Sequence, residues 1–143
     1  MLHSQYLNKS ALKAINRLGD LMLPQNDEFP SFSELGCVEH IDDVVGYAPA
    51  GDIKDLNLVL SGLAYMPDSV LKATISQMKA SHNKSHAVAP LLRQMDFGLR
   101  GIIHTLYYSG KSGSHYNGKT PVDIIGYSIK RVPLGEEERE GDV

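Results

Sequence analysis

Val88, Leu92, Met95, Leu99, Ile102 and Leu106 recur at alternating steps of four and three. A strand has a period of two and cannot keep such a set on one side, so this run commits the chain to a helix of about five turns with a continuous apolar stripe. A stripe of that length needs other elements to cover it, which makes this helix the spine of whatever core forms. Pro90 fits its first turn, where no backbone N–H is required. Gly98 and Gly101 cost on the order of 1 kcal/mol each relative to Ala, a cost that would be offset if a neighbouring helix came close there.

The rest of the chain repeats the pattern. Ala11, Leu12, Ile15, Leu18 and Met22 predict a helix from about Asn8 to Leu21, ended by Pro24 and weakened in its last turn by Gly19. Gln25 to Pro30 is a polar, proline-bounded loop. Ser31 and Glu34 have the spacing of a capping box and open a second helix, with Leu35, Val38, Ile41 and Val45 on one face and Gly46 as its stop. Asp52 is the candidate cap of a third helix carrying Ile53, Leu56, Leu60 and Leu63. Pro67-Asp68-Ser69 starts a fourth, with Leu71, Ile75 and Met78, that runs to about Ser81. Ser109 to Gly118 is rich in Gly, Ser, Asn and Lys and reads as a long surface loop, followed by a short helix or extended arm over Pro121 to Ile129. The fold class is therefore all-α: one domain, residues 1–134, built as a bundle of about five helices with a long C-terminal loop and arm.

A chain of 143 residues leaves little room for a second core. Its 14 Lys+Arg and 17 Asp+Glu give −3, but Glu136, Glu137, Glu138, Glu140 and Asp142 against Arg139 put −4 in the last residues. The body is then about +1, too weak a field for nucleic acid. Residues 135–143 offer almost nothing to bury and are expected to be a disordered acidic tail. No apolar run reaches the roughly 20 residues of a membrane span, and Met1 to Asn8 carries no export signal.

Six histidines are the obvious candidates for catalysis or metal binding. His82 and His86 have i, i+4 spacing, but no carboxylate lies between them as in a zinc protease helix. His40 stands beside Glu39 and near Asp43, a setting that could tune proton transfer, or simply a mixed-charge surface. His104, Tyr107 and Tyr108 end the long helix and could line a pocket or a partner groove. Gly110-Lys111-Ser112-Gly113 follows a helix and lacks phosphate-loop spacing. Cys37 is alone, so it forms no internal disulfide, and it reads as a buried or interfacial thiol.

Two stretches resemble a known family. The first is Leu21-Met22-Leu23-Pro24 with Phe29-Pro30-Ser31-Phe32-Ser33-Glu34-Leu35-Gly36-Cys37-Val38-Glu39-His40-Ile41-Asp42; the second is Leu106-Tyr107-Tyr108-Ser109-Gly110 with Ile125-Gly126-Tyr127. Together they are similar to the small accessory subunit (subunit 3, or gamma) of gluconate 2-dehydrogenase and related membrane-associated FAD-dependent sugar and polyol dehydrogenases. The resemblance covers about a third of the chain. It departs from the family in lacking a twin-arginine leader and in the Ser128-Ile129-Lys130-Arg131 segment, which lacks the usual proline and glycine.

What the resemblance implies is a non-catalytic helical subunit that binds, matures or escorts a large FAD-containing dehydrogenase subunit, with a cytochrome subunit as a possible further partner. It implies no catalytic residue, cofactor or metal on this chain, FAD being held by the partner. Its place would be periplasmic or at a membrane through that partner, with the cytoplasm as the alternative because no signal is visible. Partner contact is expected at Pro24, Phe29, Phe32, Cys37, Tyr107, Tyr108, Tyr116 and Tyr127, and self-association in the isolated chain. The rivals are a stand-alone helical interaction or regulatory protein, and a metal-binding enzyme using His40, His82, His86 or His104.

Overall fold

The structure, a computed structural model, describes residues 2–128. The acidic tail expected over 135–143, and the end of the domain at 134, lie outside the described residues. Seven α-helices and two 3-10 turns follow one another, and no β-strand occurs among the described residues. None of these helices is long and apolar enough to cross a membrane.

Helix α1 (Lys9–Met22) begins where the Asn8 side chain accepts the Ala11 N–H at 2.8 Å. This satisfies one of the donors that a helix start leaves unpaired. Its stripe of Ala11, Leu12, Ala14, Ile15 and Leu18 is fully buried or nearly so. Gly19, which weakens the last turn in propensity terms, is where the Phe32 ring lies directly on the backbone; a Cβ there would fall inside the ring. Propensity is given up locally so that an aromatic side chain can be sealed, a burial worth about 1.5–3 kcal/mol.

The capping box forms as the spacing predicts. Ser31 accepts the Glu34 N–H at 3.2 Å and the Glu34 carboxylate accepts the Ser31 N–H at 3.3 Å. The single helix expected from Ser31 to Gly46 does not form. It breaks into α2 (Phe32–Leu35), a 3-10 turn (Cys37–His40) and α3 (Ile41–Val45). The cause is Gly36, which takes φ +68°, left-handed geometry that ends a helix and that glycine adopts without penalty. Leu35, Val38, Ile41 and Val45 are nonetheless all buried, so the apolar face survives the break.

Helix α4 (Ala50–Leu63) starts after Pro49, which places Asp52 in the first turn and not at the cap; there its charge complements the helix dipole. It packs on α1 through Leu60 and Ala64. Two side chains fasten this contact. Asn57 accepts the Asn8 N–H at 2.9 Å and donates to the Tyr6 carbonyl at 2.7 Å, while Arg17 donates to the Ala64 carbonyl at 2.8 Å and pairs with Asp68 at 2.6 Å. Helix α5 (Asp68–Ala80) buries Leu71 and Met78 and packs against the spine helix, α6 (Ala89–Tyr107), with the Ser81–Asn83 3-10 turn between them.

The spine lies where the periodicity puts it. Leu99, Ile103 and Leu106 are buried, Leu92, Met95 and Ile102 are partly so, and Pro90 sits in the first turn. Val88, the first member of the sequence stripe, is exposed just ahead of the helix. The C-terminal half of α6 packs on α3 and the 37–40 turn.

The Ser109 to Gly118 segment is the surface loop that its composition predicts, and it is held to the fold at several points. The Gly113 N–H donates to the Leu35 carbonyl at 2.8 Å, and a Cβ on Gly113 would come within 2.9 Å of the Gly36 carbonyl oxygen. Glu39 accepts from Ser114, and Lys111 pairs with Asp43 at 2.8 Å. A short α7 (Pro121–Ile124) follows, capped reciprocally by Thr120 and Asp123.

Candidate docking surface

The eight residues expected to meet a partner divide into two groups. Phe32, Cys37 and Tyr107 are core residues with essentially no accessible surface, so in this fold they offer no contact area to a partner; for Cys37 this is the buried thiol expected from the sequence, while for Phe32 and Tyr107 it corrects the expected exposure. Their burial follows from the left-handed turn at Gly36 and from the Gly113–Leu35 hydrogen bond, which hold the 31–40 segment and the loop after α6 against each other. The Tyr107 hydroxyl donates to the Pro30 carbonyl at 2.6 Å, and burial pushes that phenol up to about 12. Burial likewise pushes the Cys37 thiol up to about 12, so it is held as a protonated, unreactive small hydrophobe.

The other five retain surface. Pro24, Tyr108 and Tyr127 are exposed, and Phe29 and Tyr116 are half-buried. Phe29 belongs to a tight turn, exchanging backbone hydrogen bonds with Asn26. Tyr116 donates to the Lys119 carbonyl at 2.8 Å, and Tyr108 stands edge-on to Tyr107 with ring centroids 5.0 Å apart. Continuity between them is partial: Tyr108 lies at the end of α6, Tyr127 just beyond α7, and Pro24 after α1.

The histidines each have separate work. The His40 Nε2–H donates to the Ser112 carbonyl at 3.0 Å, which fastens the C-terminal loop. His82 meets Asp96 at 2.9 Å, and Arg100 meets the same carboxylate at 2.8 Å. Burial alone would raise the Asp96 carboxyl, but the hydrogen bonds from Arg100 and His82 outweigh it and hold the group below the usual aspartate value. Burial and the Arg100 guanidinium push His104 down. His86 is exposed, away from this pair. No three metal-ligating side chains come together among the described residues.

Sequence reasoning passed over two features. Asp96 is a carboxylate sunk in the spine and shared by Arg100 and His82, joining the α5–α6 connection to α6. Its signal is a lone acid inside the long spine helix. The second is the outer face of α6, where Arg93, Phe97, Arg100, His104 and Tyr108 follow at steps of four, three, four and four. That spacing was visible too, but the buried stripe on the opposite side is what periodicity analysis rewards. Phe97 is 82 % exposed.

More widely, Tyr47, Leu58, Tyr65, Leu91 and Tyr127 are each more than half exposed. Two hollows are open to solvent, one between the N-terminal segment and α4 at Tyr6, Ile53 and Asn57, the other along α1 at Leu12, Lys13 and Asn16. Such open hollows do not enclose a small substrate as catalytic pockets do. Set beside known proteins, the chain matches no family model, no characterised protein and no solved structure.

Proposed function

We propose that this chain is a non-catalytic helical accessory subunit that binds, matures or escorts a large FAD-dependent sugar or polyol dehydrogenase subunit, itself carrying no flavin. The observation that carries the binding role is the set of large apolar side chains standing in solvent on an otherwise sealed fold, with Tyr47 at 92 %, Phe97 at 82 % and Tyr65 at 77 % exposure. Isolated surface hydrophobes are ordinary, but this many aromatic ones are the composition of interfaces. The choice of a flavoprotein partner is supported by the resemblance of Leu21–Asp42 and Leu106–Tyr127. Its location, periplasmic or membrane-associated, would follow from that partner.

The test is co-expression with a large dehydrogenase subunit of that family, followed by size-exclusion chromatography read at the flavin absorbance. Co-elution of this chain with flavin supports the reading. A monodisperse monomer that never co-elutes would end it. The burial of Phe32, Cys37 and Tyr107 favours a second reading, a stand-alone helical adaptor, because it removes three contact positions that the resemblance implied.

A further inference from the structure

Helix α6 is divided lengthwise. One side is core. On the other, at the helical steps given above, run two parallel lanes: one of Arg93, Arg100 and His104, the last held toward its neutral form by burial and by Arg100, and an uncharged one of Gln94, Phe97, Gly101 and Tyr108. The helix has one acidic residue, Asp96, and it is buried and already shared by His82 and Arg100. No carboxylate among the described residues lies within salt-bridge reach of Arg93, and the one charged neighbour that perturbs His104 is Arg100, whose positive charge disfavours protonation of the imidazole. An exposed helix ordinarily mixes both signs of charge on its solvent face; this one displays only one sign, next to a phenylalanine standing in water.

We infer that the solvent face of α6, centred on Phe97 and Arg93, docks an amphipathic helical segment of a partner protein whose apolar side chains are flanked by carboxylates. Phe97 and Tyr108 supply the apolar anchor and Arg93 the charge that an acidic flank would satisfy. Gly98 and Gly101 have nothing within 4 Å of where a Cβ would stand, so the middle of the face is a shallow hollow that a helical ridge can enter. At 19 residues, α6 offers a platform roughly 28 Å long.

The same features argue against other occupants. A second copy would bring the Arg93 and Arg100 guanidinium groups of two identical faces together with no exposed carboxylate on either helix to offset them. For nucleic acid the charge is too sparse: residues 129–143 hold three of the 14 bases and five of the 17 acids, so residues 2–128 are left with eleven against twelve, or −1. A lipid surface calls for a broad apolar face bordered by many basic residues, whereas the exposed apolar groups of these two lanes are Phe97 and Tyr108 alone. The inference goes beyond the accessory-subunit reading, since it fixes the chemistry of the docked segment and leaves its owner open.

The experiment titrates the full chain into a fluorescein-labelled helical peptide whose leucines are flanked by glutamates, followed by anisotropy at low and high salt. A matched peptide with lysine flanks is the control. The expected result is binding of the glutamate peptide that salt weakens and that drops about tenfold with Arg93→Glu and by a similar factor with Phe97→Ser. Phe97 is on the surface and Arg93 is half-buried, so a thermal melt of each variant checks that the fold is kept. The variant Leu58→Ser, on α4, should bind as the parent does. Equal binding of the lysine peptide, unchanged binding by both α6 variants, or no binding at about 1 mM would overturn the inference. So would tighter binding of single-stranded DNA or phosphatidylserine vesicles, or a dimer that Phe97→Ser dissolves.

Discussion

Residues 9–45 and residues 50–97 are both helical, yet they are held by different means. In the first region α1, α2 and α3 close around Phe32, Leu12, Ile15, Leu18 and Ile41, all fully buried or nearly so, and two of its starts are capped by side chains, Asn8 and Ser31. In the second, α4, α5 and α6 start at Pro49, Pro67 and Val88 with no side-chain cap. There each helix buries a narrow stripe and leaves Leu58, Tyr65, Val70 and Phe97 in solvent. The lesson is a division of labour: the first region buries its apolar residues against itself and against α4 and α6, while the second also keeps several of its own outward for something else. Two phenylalanines of one chain, one sealed and one standing in water, mark the extremes.

The largest expected effect breaks the sealed side. Phe32→Ala should destabilise the protein by about 3–5 kcal/mol, read as a lowered urea midpoint, because a ring packed on bare backbone leaves a cavity that cannot easily collapse. A change below about 1 kcal/mol would mean that this region is no tighter than its neighbour.

Next comes the Asp96 junction. Asp96→Asn should cost about 1–3 kcal/mol near neutral pH, since it leaves Arg100 and His82 without their shared anion. The pH dependence has a definite sign. Because the carboxyl is held below its ordinary value, its contribution is fully present above the unfolded aspartate value of about 4 and is lost as pH falls through the lower native value. Stability measured from neutral to acid pH should therefore fall less in the Asn variant than in the parent. Parallel curves would refute the assignment.

Much of this was readable in the sequence, and the failures have physical causes. The spine from Val88 to Leu106 was clear because a long one-sided stripe has few structural solutions. The Ser31–Glu34 box was clear because its signal is purely local. Gly36 was misjudged because Leu35, Val38, Ile41 and Val45 keep helical spacing across a left-handed residue that periodicity does not register. The burial of Phe32, Cys37 and Tyr107 depended on contacts far apart in the chain, such as Tyr107 with Pro30 and Gly113 with Leu35, which no local pattern encodes.

Two smaller effects sharpen the contrast on the outward side. Gly98→Ala should raise stability by about 0.5–1 kcal/mol in thermal or urea unfolding, because the site is helical and open and the glycine is therefore a net cost to the free chain. Gly101→Ala should behave alike, and both should weaken docking of a helix on that face. Phe97→Ser should change stability least, within about 0.5 kcal/mol, as expected for a side chain that touches little in the folded chain. A loss comparable to that of Phe32→Ala would show that α6 has no outward-facing side at all.

The clasp between Pro30 and Tyr107 joins residues 77 positions apart. During synthesis, therefore, the early helices emerge from the ribosome long before the segment that closes over them. Their greasiest side chains must wait, uncovered, while α4, α5 and most of α6 are still being made, and productive folding is postponed toward the end of translation. A nascent chain of this design is a natural client for holding chaperones, and a pause or truncation before Tyr107 would release a product with its interior still open.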